Sequence, residues 1–187
     1  MRAMLLRQPK PIDERPLELV ELQRPHPGPG EILIAVNACG VCHTDLHVCE
    51  GELAPHKSPV VPGHQIVGRV AELGEGVTEH ALGDRVGVPW LHWTDGVCRY
   101  CRRGDENLCD NARFTGWDVD GGYAEFVVAP AAFSYALHEN LSDLAAAPLL
   151  CAGIIGYRSL CISGLVPWGR GREAAGGPAG PGAAAGR

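Results

Sequence analysis

The sequence predicts a mainly β domain with late helices, arranged as a partly open β-barrel. Three observations carry this prediction: short apolar runs recur between residues 31 and 128, glycine turns separate them, and clear helix signals arrive only after residue 140. Glu31–Val36 follows a Pro/Gly-rich turn and is apolar on both faces, as a buried strand would be. Gln65–Leu73 reads as a second strand, closed by Gly74 and Gly76. A third begins after the Gly83-Asp84 turn as Arg85–Val88, and a fourth is Tyr123–Val128, after Asp120-Gly121-Gly122. Ser142 or Asp143 can cap Leu144–Ala147, and Pro148 limits that helix. A second helix is expected from about Leu149 to Leu160, carrying Cys151.

A chain of 187 residues is long enough to bury a substantial core as one domain with appendages. Its net charge of -6 provides no basic footprint for nucleic acid and no polybasic membrane patch, so neither partner is expected. No apolar stretch approaches the roughly 20 residues that cross a bilayer, and the apolar part of the start, Met1–Pro9, is too short for a signal peptide. The expectation is a cytoplasmic protein. In a reducing compartment its eight cysteines mark metal or redox chemistry better than disulfides.

From Pro167 onward the composition turns to Gly, Ala, Pro and Arg, which offer little to bury, so residues 167–187 read as a disordered tail. Gly169-x-Gly171-x-x-Ala174 matches a dinucleotide fingerprint by letters. It lacks the preceding strand, the following helix and the later acidic residue that give that motif its mechanism.

The chemistry-bearing residues fall into two groups. Cys42, His64 and Cys151 supply two thiolates and an imidazole, which can hold one zinc and leave its fourth position open to a substrate oxygen. Isolated Cys and His can equally be buried packing residues, and Asp45 beside them can simply cap a turn. The second group is Asp95, Cys98, Cys101 and Cys109, on a loop rich in Gly and charge. A carboxylate can replace a thiolate at zinc, although soft ligands bind it better in closed sites; free thiols are the other reading of this group. The Cys98-x-x-Cys101 spacing alone also fits a redox-sensing thiol module.

Cys42-His43-Thr44-Asp45-Leu46-His47, Gly63-His64, Cys98-x-x-Cys101 with Cys109, Asp118–Glu125 and Cys151-Ala152-Gly153 occur in an order that resembles the catalytic domain of zinc-dependent, medium-chain alcohol dehydrogenases. The resemblance implies a GroES-like barrel over residues 1–150, a helix over 151–166 leading toward a cofactor domain, and no Rossmann domain in the remainder. It implies that Cys42, His64 and Cys151 are the catalytic zinc ligands and that Asp45 orients His64. Thr44 and His47 would form a proton relay, and His43 would approach the pyrophosphate of NAD(P). It implies a structural zinc lobe at the second group, with Asp95 where the family's first Cys stands. Gln65 departs from the Glu that usually follows the zinc histidine.

The function expected is oxidation of a small alcohol to an aldehyde or ketone with NAD(P). In this chain it is expected as a catalytic-domain fragment that is inactive alone and cannot bind the cofactor in the usual way. The alternative is a non-catalytic zinc-binding domain or a frameshifted gene product. Cys39, Cys49 and Cys161 match no ligand position and are assigned to packing or plain exposure. Trp90, Trp93 and Trp117 are either pocket-lining or core, and His26, His56, His80, His92 and His138 show no pattern.

Overall fold

The computed structural model describes residues 1–54 and 56–164. The readings made for the 167–187 tail and for the Gly169–Ala174 fingerprint lie outside the described residues. The chain divides into two compact units, Met1–Cys151 and one that begins at Ala152.

In the first unit the order is β1 (Arg2–Leu6), β2 (Leu17–Glu21), β3 (Glu31–Gly40), α1 (His43–Glu50), β4 (Gln65–Leu73), β5 (Arg85–Val88) and β6 (Leu91–Trp93). Then come β7 (Arg113–Phe114), β8 (Phe126–Pro130), β9 (Tyr135–Ala136) and α2 (Asp143–Ala146), followed by a 3-10 turn over Ala147–Leu150. The second unit contains α3 (Ala152–Ser163), none of whose residues is buried. No single helix among the described residues is long and apolar enough to cross a membrane.

The main sheet has five strands in the order β8-β3-β4-β5-β9, and β1-β2 and β6-β7 form separate pairs. Every named pair is antiparallel. The sheet does not close, in keeping with the partly open barrel expected. Alternation along the strands sorts side chains to two faces. Ile32 and Ile34 of β3, Ile66 of β4, Val86 and Val88 of β5, and Val127 and Ala129 of β8 make the main core. Val67, one residue out of phase with Ile66, packs on the other face against Ala146, Ala147 and Leu150. Gly87 makes this close approach possible, because a Cβ there would meet Leu150 Cδ2 at 2.8 Å.

Several expectations need correction. β3 continues past Val36 to Gly40. The fourth strand is not Tyr123–Val128 but Phe126–Pro130, because the segment before it pairs elsewhere: Met4 N donates to Tyr123 O at 2.8 Å, and Ala124 bridges Ala3. The chain passes from β1 to β3 at Glu125, whose N donates to Arg2 O and whose O accepts from Val36 N. α1 is an early helix that the sequence did not announce, since the buried i, i+3, i+4 stripe Asp45, Val48 and Cys49 begins with a carboxylate. Finally, Cys151 is not on a helix. It sits between the 3-10 turn and α3, with φ -131 and ψ -78, where Pro148 has already interrupted helical bonding.

Candidate metal centre

The β3–β4 ladder positions the first two members of the site. Gly40, the last residue of β3, is paired with Gln65, the first of β4. Cys42 and His64 lie just beyond that rung, so a 22-residue separation becomes a contact of 3.3 Å between Cys42 Sγ and His64 Nε2. Gly63 precedes His64 at φ 99, a left-handed conformation that glycine adopts without strain.

The third member arrives from the far end of the unit. Arg85, 6% exposed, donates to Asp143 Oδ1 and to the carbonyls of His138 and Leu141, and Asn37 donates to Asp143 Oδ2 at 2.9 Å. These bonds hold the segment that enters α2 against the sheet. The following 3-10 turn then sets Cys151 Sγ 4.0 Å from Cys42 Sγ. The ligand atoms of Cys42, His64 and Cys151 all lie within 4.8 Å of one another. A tetrahedral zinc with bonds of about 2.0–2.3 Å requires edges of roughly 3.3–3.8 Å, so the three atoms fit around one ion with little movement.

Cys42 is also the N-cap of α1. Thr44 N donates to its Sγ at 3.3 Å, and Cys42 N donates to Asp45 Oδ2 at 2.9 Å, a reciprocal pair that starts the helix at a ligand. The other carboxylate oxygen, Asp45 Oδ1, is 3.2 Å from His64 Nδ1. That contact is within ion-pair distance but lacks hydrogen-bond alignment, so it counts as a charge contact. Asp45 thus meets the start of α1 with one oxygen and the His64 ring with the other.

The electrostatics suit a cation. Burial opposes ionisation of Cys42, yet the Thr44 side chain and amide and the nearby His64 pull its pKa below the ordinary thiol value. Burial and the adjacent Cys42 push Cys151 up to about 11. Burial likewise opposes charge on His64, but Asp45 outweighs it and raises the pKa. Two thiols this close cannot both ionise easily without a positive ion between them.

Of the other residues singled out, Thr44 touches Cys42, and His47 lies one turn further along α1, paired with Glu52 and edge-on to His43 at 4.9 Å between centroids. Gln65 is buried at 2% exposure, and its side chain partly offsets the upward pull of burial on the Cys151 thiol. Trp90 meets the His64 ring at 4.9 Å and stacks with Phe114 and Trp117. His56 stacks on Trp117 at 3.8 Å and pairs with Asp118. Trp93 is not part of this wall; it is 39% exposed, beneath Arg113. Cys39 and Cys49 behave as packing residues, their pKa values raised by burial to about 12 and about 11.

The second group also converges: the ligand atoms of Asp95, Cys98, Cys101 and Cys109 lie within 4.8 Å of one another. Cys98 Sγ and Cys101 Sγ are 3.5 Å apart. Asp95 Oδ1 accepts from the amides of Val97 and Cys98, both at 2.9 Å, and Oδ2 accepts from Asn111 Nδ2 at 2.8 Å. Those bonds hold the carboxyl far below the usual carboxylate range. Asn111 is a residue the sequence reading missed, and Cys109 Sγ accepts its amide at 3.4 Å.

Residues 28–139 match the alcohol dehydrogenase GroES-like domain. The chain belongs to the zinc-dependent alcohol dehydrogenase family. It is 57% identical over 175 residues to "Probable alcohol dehydrogenase AdhA" of Mycobacterium tuberculosis, an alignment covering 91% of this chain and 51% of that protein. Among solved structures, the cinnamyl alcohol dehydrogenase SbCAD4 of Sorghum bicolor superposes with a TM-score of 0.77 at 33% identity, over 87% of this chain and 47% of that one. A thermostable alcohol dehydrogenase from Pyrobaculum aerophilum, solved with cobalt and zinc bound, gives a TM-score of 0.68 at 37% identity, over 74% of this chain and 41% of that one. The chain thus spans about half the length of the alcohol dehydrogenases it matches. Both side-chain clusters fit zinc binding in their donor sets and spacing.

Proposed function

We propose that this chain is the zinc-bearing part of an alcohol dehydrogenase that oxidises a small alcohol with NAD(P). The convergence of Cys42 Sγ, His64 Nε2 and Cys151 Sγ carries the reading, because three protein ligands are the donor set of a zinc site with one open position. Zinc held there supplies Lewis-acid polarisation of the substrate oxygen. Cys42 and Cys151 balance the charge of the ion, and Asp45 orients His64 through Nδ1.

Thr44, whose amide touches Cys42, takes the alcohol proton at its hydroxyl oxygen as its own hydroxyl proton leaves, and His47, with Glu52 at its Nδ1, passes that proton toward solvent. The stacked wall of Trp90, Phe114 and Trp117 bounds the substrate side. Asp95, Cys98, Cys101 and Cys109 form a closed zinc lobe that fixes the loop. In this reading residues 1–150 are the catalytic domain, and the chain from 151 leads toward the part of the family fold that binds NAD(P). His43 is placed beside the cofactor pyrophosphate. A cytoplasmic location accompanies this assignment.

The second reading is a zinc-binding domain without turnover, to which the same converging donor set belongs equally. Zinc quantification combined with an NAD-linked ethanol oxidation assay separates the two. The proposal expects bound zinc in this chain, lost with Cys42→Ser, and turnover when the same residues are followed by a cofactor domain. Zinc without turnover in that longer protein leaves the second reading, and a chain without zinc overturns both.

A further inference from the structure

The chain that follows α1 folds back onto the helix. Gly51, at φ 81, ends α1 in the left-handed conformation common at helix C-termini, and Leu53 N then donates to His47 O at 3.3 Å. This return brings the Glu52 carboxylate to the His47 ring, where Oε2 meets Nδ1. Glu50, the other acidic residue at that end of the helix, is turned away and accepts from Ile12 N at 3.0 Å. Of the two, Glu52 is the carboxylate that the backbone delivers to His47.

Contact through one particular nitrogen fixes more than the orientation of the ring. A neutral imidazole carries its proton on one nitrogen and a lone pair on the other, and an ionised carboxylate only accepts hydrogen bonds. Nδ1 is then the N–H, which leaves Nε2 as the acceptor. Without such a partner an imidazole in water favours the opposite form, with its proton on Nε2, and a ring in that form has no lone pair there to take a proton. Thr44 and His47 are three residues apart on α1 and so share one face of the helix. His43, also against the ring, meets it edge-on at 4.9 Å between centroids, and no hydrogen bond to His47 Nε2 forms among the described residues.

We propose, on the reading of His47 as the relay base, that Glu52 is a positioning residue: it holds His47 as the Nδ1–H tautomer, so that Nε2 takes the proton released through Thr44. The step balances on one nitrogen. Nε2 gains the proton to give an imidazolium, and the same proton leaves Nε2 for water, which restores the starting tautomer with Nδ1–H still on Glu52. The His47 side chain is 38% exposed, which gives water access for that last transfer. Glu52 itself neither takes nor gives a proton.

The test is heteronuclear NMR of the histidine ring nitrogens in the full, zinc-loaded chain at a pH of about 9, where free imidazole is neutral. His47 is assigned by the loss of its signals in His47→Gln. The wild type is expected to show Nδ1 protonated and Nε2 bare. Glu52→Ala is expected to lower the ratio of the Nδ1–H form to the Nε2–H form about tenfold, the scale of a hydrogen bond to a charged group. Glu52→Gln keeps an acceptor oxygen at the same reach and is expected to keep most of the bias. A residue that only braced the loop would change stability and leave the tautomer unmoved. An Nε2–H ring in the wild type, a ratio unaltered by Glu52→Ala, or a Glu52→Gln protein equal to Glu52→Ala would each overturn the proposal. The tautomer is legible whether or not the ion is bound, so a sample without zinc counts against the function proposed above, and a wrong tautomer counts against Glu52 alone.

Discussion

Gly40 and Gln65 face each other across the last rung of the β3–β4 ladder, and the Gln65 side chain fills the volume that a side chain at residue 40 would need. A Cβ on Gly40 would overlap Gln65 Oε1 and stand 3.0 Å from its Cδ and 3.1 Å from its Cβ. Because Cys42 and His64 follow directly from this rung, crowding it moves both. Gly40→Ala is expected to destabilise the chain by about 1–3 kcal/mol and to lower zinc affinity at the first centre about tenfold. Denaturant unfolding and chelator competition measure the two effects; unchanged zinc affinity would contradict the role given to this rung.

Asp45 divides its carboxylate between capping α1 and facing His64, and the two tasks can be separated. Asp45→Asn keeps an oxygen for the cap but removes the charge beside His64. Zinc affinity is expected to fall about 10–100-fold while the metal-free chain changes by less than about 1 kcal/mol. Asp45→Ala should lose the cap as well, at a further cost of about 1 kcal/mol. Equal zinc affinity in the wild type and Asp45→Asn would remove Asp45 from the account of the centre.

In the second cluster the carboxylate of Asp95 spends three acceptor positions on Val97, Cys98 and Asn111. That leaves it a weaker zinc ligand than a free thiolate, so Asp95→Cys is expected to raise zinc affinity there by about tenfold or more. Metal analysis after graded chelation reads the outcome. No gain would mean that the three sulfurs alone set the affinity.

Burial lowers the pKa of His92 to about 4, from an ordinary 6.5. The folded protein therefore keeps His92 neutral where the unfolded chain already takes up a proton. The sign follows: the stability tied to this residue is complete above pH 6.5 and is lost as pH falls toward 4, up to about 3 kcal/mol. His92→Phe is expected to flatten the unfolding free energy over that window relative to the wild type. Parallel pH profiles for the two proteins would show that His92 titrates normally.

The strands of the main core were legible because Ile32, Ile34, Ile66, Val86 and Val88 form dense apolar runs between turn residues. The start of β8 was not, because the run from Tyr123 to Val128 changes partner midway and composition carries no mark of that change. α1 was hidden for a chemical reason: its buried stripe opens with Asp45, a residue whose burial is explained only by His64 and the Cys42 amide. Spacing alone could not unite Cys42 with Cys151 across 109 residues; the likeness to a family brought them together, and Arg85 and the 3-10 turn supply the physical means. Asn111 and Phe114 went unnoticed, being ordinary loop and aromatic residues until the fold sets them beside Asp95 and Trp90.

The position of Cys151, at the very end of the first unit, gives an ion at the centre a mechanical role besides any chemical one. Joined to Cys42, it would act as a clasp on a residue 109 positions away, and closures of that length restrict an unfolded chain strongly. Removing the ion would then loosen the latch formed by α2 and its turn before it disturbs the strands, and the protein's resistance to unfolding would rise and fall with the free zinc in its surroundings.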